Sequence, residues 1–175
     1  MSMNLTTDFE EAIRPVLDAL PFEMALRRLV IDGPSEHTEA SAAVAKAIQD
    51  PAVAERPDLI AGLWMYVDEL DKSHEASQDL NTPTGSYWHA IMHRREGDFS
   101  NSKYWLSRAV HHPAMGLIDL TGGGAGSGTA VAAYDAVDFV DRVQRAHERE
   151  DGFHPELVSA QCKEWKALFE WCIHQ

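Results

Sequence analysis

Apolar residues recur at helical spacing along almost the whole chain, and polar breaks divide them into segments. Phe9, Ile13, Val16, Leu17 and Leu20 form a first stripe. It follows a Thr7-Asp8-Phe9-Glu10 capping box, in which Thr7 accepts from the backbone and Glu10 reaches back. Pro15 is expected to bend or split this helix. Pro21 opens a second helical segment with Phe22, Met24, Leu26, Leu29, Val30 and Ile31, and Asp32-Gly33-Pro34 turns the chain. Ser35 caps an alanine-rich helix reaching about Gln49, with Ala40, Ala43, Val44, Ala47 and Ile48 on its apolar face. After Pro51 and Pro57 the spacing predicts one strong helix over 58–78, buried along Ile60, Leu63, Trp64, Val67 and Leu70. His74 continues that line, with Asp71 and Gln78 beside it. Polar residues thus replace apolar ones in its last turns.

The stretch from Gly85 to Pro113 predicts two helices, over 87–96 and 100–110, split by Gly97-Asp98. A turn this short makes neighbouring helices antiparallel, an αα-hairpin. Leu117–Leu120 is the one candidate for a strand. A Gly-rich loop, 121–129, precedes a helix from about Ala130 to Glu150. Pro155 starts a final helix with Leu157, Gln161, Trp165, Leu168, Phe169 and Cys172 on one face. The expected class is all-α, a single globular domain over 1–175 with about six to eight helices.

Composition narrows the partners. With 45% hydrophobic residues the chain can bury a core, and 15 Lys plus Arg against 28 Asp plus Glu leave a net charge of −13. Nucleic acid and acidic membrane surfaces are therefore disfavoured as partners. No run reaches the ~18 apolar residues of a membrane span. The N-terminal stretch has no apolar core of a signal peptide. Cys162 and Cys172 fall on one predicted helix, their Cα atoms about 15 Å apart, too far to bridge. Free thiols suit a reducing compartment, so a cytoplasmic location is expected. The alanine-rich helix and the final helix each suit a homodimer contact.

Candidate chemistry concentrates in Gly85–Pro113, which holds four of the nine histidines and two of the five tryptophans. Ala90, Gly97, Asp98, Phe99, Leu106 and Ala109, with Ser102 at a small-residue position, resemble a tetratricopeptide repeat over roughly 25 residues. No second copy stands 34 residues away, so the resemblance implies a hairpin of similar packing rather than a solenoid. Trp88-His89, His93-Arg94-Arg95-Glu96-Gly97-Asp98, Asn101, Tyr104-Trp105 and Arg108 are similar to a pattern in an uncharacterised family of bacterial and fungal proteins. His74 and Gln78 look like part of that pattern, and the resemblance implies no reaction.

Helix geometry sharpens the pattern. With His89 at zero, His93 lies near +40° and Glu96 near −20°, so all three share one stripe. A His-x-x-x-His pair offers two imidazoles to one metal, Glu96 is a candidate third ligand, and His74 a fourth. Ala90 follows His89, so this is not the HExxH of zinc proteases. The residues read first as a polar pocket of His74, Gln78, His89, His93, Glu96 and Arg108, walled by Trp88 and Trp105. It would take a divalent transition metal or a small anionic ligand and is a candidate for catalysis. With a metal, His74, His89, His93 and Glu96 are ligands, or Glu96 a base. Without one, a histidine is the acid or base and Arg108 holds the substrate. The bland alternative is histidines satisfied structurally, in a tetratricopeptide-like interaction domain without catalysis. Arg108 then forms a buried salt bridge to Glu96 or Asp98. Asp98 is expected to cap the second helix, and His111-His112 to end it as positive charge. The loop 121–129 lacks the lysine of a P-loop and reads as a mobile surface segment.

Overall fold

The computed structural model describes residues 7–120, 134–149 and 152–175; the Thr7 side chain and the Gly-rich loop 121–129 lie outside the described set. Within it the chain is all helical, with eight α-helices and no strand. They are α1 (Thr7–Ala19), α2 (Thr38–Ala47), α3 (Pro57–Tyr66), α4 (Leu70–Ser77), α5 (Pro83–Glu96), α6 (Phe99–Arg108), α7 (Ala136–Arg149) and α8 (Pro155–Ile173). The Leu117–Leu120 run forms no strand: a 3-10 turn over Pro113–Leu117 takes its first residue. α1 passes through Pro15 unbroken. α7 begins at Ala136, where the Asp135 carboxylate accepts from the amides of Val137 and Asp138; the expected start near Ala130 lies outside the described residues.

One hydrophobic cluster draws residues from all eight helices. At its centre α3 lies close to α5 and α8, and Gly62 permits that approach. A Cβ at Gly62 would stand 2.6 Å from the Phe169 ring and 2.9 Å from the Trp88 ring. The Trp165 indole donates to the Gly62 carbonyl at 2.9 Å and fastens α8 to α3. The hairpin of α5 and α6 turns at Gly97, whose φ of 88° is the left-handed conformation that ends many helices. Asp98 caps α6 as expected, accepting from the Asn101 amide at 3.0 Å.

Two predicted helices are not built as the periodicity implies. The segment after Pro21 forms only a turn, with Leu26 at φ 57°. Its Ala25, Leu26 and Ile31 are buried all the same. Tertiary donors replace the helical ones: Gln161 donates to the carbonyls of Leu26 and Arg28, and Arg95 to that of Arg28. The Ile31 amide donates to the Arg95 carbonyl. Side chains from α5 and α8 thus satisfy a backbone that a helix would have satisfied internally.

The predicted helix over 58–78 breaks at 67–69, where Asp68 takes φ 63°. Ser35 donates to the Val67 carbonyl at 2.6 Å and Arg95 to the Met65 carbonyl at 2.8 Å. Arg95 and Arg28 both bind the Asp68 carboxylate, at 2.6 and 3.1 Å. The break re-aims the second half: α4 packs on both α3 and α5, and Ser73 donates back to the Ala61 carbonyl at 2.9 Å. The buried line from Ile60 to His74 is therefore not one helix face.

Candidate metal and ligand site

α5 is buried nearly all round, and consecutive side chains leave it in different directions. Arg94 and Arg95 turn away from the histidines, and each meets a carboxylate in the core. Arg94 meets Glu164 at 2.5 Å, and the same carboxylate accepts from Tyr134 at 2.6 Å and Tyr87 at 3.2 Å. Burial and the Glu164 carboxylate hold both tyrosine hydroxyls well above their ordinary pKa. Arg95 binds Asp68, as above. Trp88 is fully buried beside Gly62, a core residue rather than a pocket wall.

His89 and His93 leave α5 toward α4 and meet His74. The ring centroids lie 4.6 Å apart for His74–His89, 5.5 Å for His89–His93 and 5.8 Å for His74–His93. One ligand nitrogen from each ring falls within 4.8 Å of the other two. His89 and His93 are buried and His74 is half-buried. A tetrahedral metal with bonds of about 2.0–2.1 Å spaces its nitrogens about 3.3 Å apart.

Surrounding groups orient two of the rings. The Ser77 hydroxyl lies 3.2 Å from the His74 carbonyl and 3.2 Å from His89 Nδ1. Its single proton goes to the carbonyl, so Nδ1–H of His89 donates to Oγ and Nε2 keeps a free lone pair. The Trp105 ring packs on His89 at 4.3 Å between centroids. Burial, then the neighbouring His74 and His93, lowers the His89 pKa from 6.5 to about 4. This ring is neutral at neutral pH, as a metal ligand must be.

Glu96 stands behind His93. Its carboxylate accepts from His93 Nδ1 at 3.0 Å, and its side chain is half exposed. This is the carboxylate–histidine pairing that fixes a ligand's tautomer from outside the metal's own shell. The Asn101 amide nitrogen lies 3.0 Å from His93 Nε2, so a metal at that nitrogen takes the place of this contact. Arg108 is exposed and forms no salt bridge to Glu96 or Asp98; its guanidinium lies over Trp105 at 5.4 Å and near the Tyr104 hydroxyl.

Sequence reading missed Ser77 and gave Asn101 no part at the histidines. A serine next to Gln78 and an asparagine after a cap carry no signal until the hairpin closes. His112 also corrects an expectation. It is buried, and burial lowers its pKa from 6.5 to about 4, so it is no cation at a helix end. Its Nδ1 accepts from the Ala114 amide at 3.2 Å, which leaves Nε2–H to donate to Thr84 at 3.1 Å. Cys162 and Cys172 are both free thiols. Among the described residues no helix is long and apolar enough to cross a membrane. No protein-family model, curated protein or solved structure matches the chain. The chemistry therefore rests on the site's own residues.

Proposed function

We propose that His74, His89 and His93 bind one divalent transition metal, with Glu96 orienting His93 and Ser77 orienting His89. The observation that carries this reading is the convergence of three imidazoles from two helices, each offering a nitrogen within 4.8 Å of the others. The protonation of His89 supports a metal over a bound anion in the cluster itself. A ring with a pKa of about 4 is uncharged near neutrality and offers a lone pair rather than a positive charge. Their burial also favours this reading over a protein-interaction groove with histidines at its rim.

Three protein ligands leave a fourth position for water or substrate, the composition of catalytic rather than structural sites. A bound metal would supply Lewis acidity and lower the pKa of a coordinated water. The chain's part is to hold His89 neutral, orient two of the rings through Ser77 and Glu96, and cover one side with Trp105.

Elemental analysis of untagged protein purified without chelator tests the reading. About one equivalent of zinc, nickel, iron or manganese is expected, lost in His89→Ala. Absence of metal after reconstitution with each of these ions overturns it.

A further inference from the structure

Beside the histidine cluster lies a cavity of about 290 Å³, lined by Gln78, the segment 80–83, Ser86, Trp105 and Arg108. Its lining contains no carboxylate, in a chain with 28 acidic residues and a net charge of −13. Its one charged group is the Arg108 guanidinium. That group lies over the rings of Trp105 and Tyr104 and pairs with no carboxylate among the described residues. Stacking leaves the planar fork's N–H donors available to a bidentate acceptor. Ser86 is only 6% exposed, yet its hydroxyl has no hydrogen-bond partner among the described residues. On the cavity wall this hydroxyl is free to donate to a molecule held there. The first turn of α5 contributes Pro83 and Ser86, which adds the positive end of a 14-residue helix.

The cavity shares walls with the histidines. Trp105 lines it and packs on His89. Gln78 lines it and directly follows Ser77, which orients His89.

We propose that this cavity is an oxyanion subsite. Arg108 and the Ser86 hydroxyl hold the carboxylate or phosphate of a small molecule, and the rest of the molecule extends along Trp105 toward the imidazoles. The subsite stands on its own lining; its role in presenting a substrate to a metal rests on the metal reading above.

Calorimetric titration of inorganic phosphate and of propionate, into metal-free and metal-loaded protein, tests it. One of the two is expected to bind the metal-free protein at a single site, and which one binds separates the phosphate from the carboxylate source. Arg108→Ala is expected to weaken that binding at least about tenfold, and Ser86→Ala about threefold. Arg108 is exposed, so its replacement leaves the fold intact, which thermal unfolding verifies. Two results overturn the subsite: neither anion binds the metal-free protein, or binding is indifferent to both substitutions. Anion binding that appears only with metal and ignores Arg108 also overturns it, because the metal is then the anion's site. Failure of metal uptake with metal-free anion binding intact sinks the metal reading and upholds the subsite.

Discussion

The two sides of α5 carry opposite solutions to the same problem. On one side Arg94 and Arg95 are fully buried charges, and each is matched by a carboxylate: Glu164, shared with two tyrosine hydroxyls, and Asp68, shared with Arg28. On the other side His74, His89 and His93 crowd together with no carboxylate among them, only Glu96 behind one ring. A buried group that is already paired has little left to offer a ligand. Three imidazoles that each bring a nitrogen within 4.8 Å of the other two are arranged for something that accepts electron pairs. Polarity alone did not separate these sides; what does is a buried carboxylate facing each charge on one side and three imidazoles facing one another on the other.

The largest effect that would break the comparison is on the saturated side. Glu164→Gln leaves the Arg94 charge buried without a counter-ion, and urea unfolding is expected to register a loss of about 3–5 kcal/mol. A loss near zero would mean that the Arg94–Glu164 pair is not structural. On the other side, His89→Ala is expected to cost the metal-free fold only about 1–2 kcal/mol while weakening metal binding at least about a hundredfold. Equal stability losses in the two variants, without a change in metal affinity, would place both sides in the same structural class. Glu96→Gln sharpens the contrast further. Metal affinity in a competitive chelator titration should drop about 10- to 100-fold, with stability within about 0.5 kcal/mol of the parent because the side chain is half exposed.

A smaller effect concerns His112. Its folded pKa, about 4, lies below the 6.5 of the free side chain, so the unfolded chain binds the extra proton first. Stability is therefore full above about pH 6.5 and declines as pH falls toward 4. Protonation of Nδ1 also removes the acceptor for the Ala114 amide. The rings of Tyr87 and Trp171 pack against His112 and supply no carboxylate to stabilise the charge. His89 adds a second contribution of the same sign in metal-free protein. Unfolding curves at stepped pH should show this decline, shallower in His112→Gln. An unchanged slope in that variant would remove His112 as a cause.

Much of the molecule was legible in the chain order of its residues. Helical periodicity gave the all-α class, and Gly97-Asp98 gave the turn and cap of the hairpin, because a left-handed glycine and a capping carboxylate act within a few residues. The i, i+4 spacing of His89 and His93 placed them on one stripe for the same local reason. Three other features depended on distant residues. The segment 21–31 carries apolar residues at helical spacing, yet Gln161 and Arg95 satisfy its backbone from α8 and α5. The helix over 58–78 breaks at Asp68 because two arginines from outside it bind that carboxylate. The break lets α4 pack on both α3 and α5, and there His74 meets His89 and His93. The sequence by itself determined which side chains can act and along which stripe. Only the tertiary structure decided which of them meet a buried carboxylate, since Glu164 lies 70 residues from Arg94 and no local spacing relates the two.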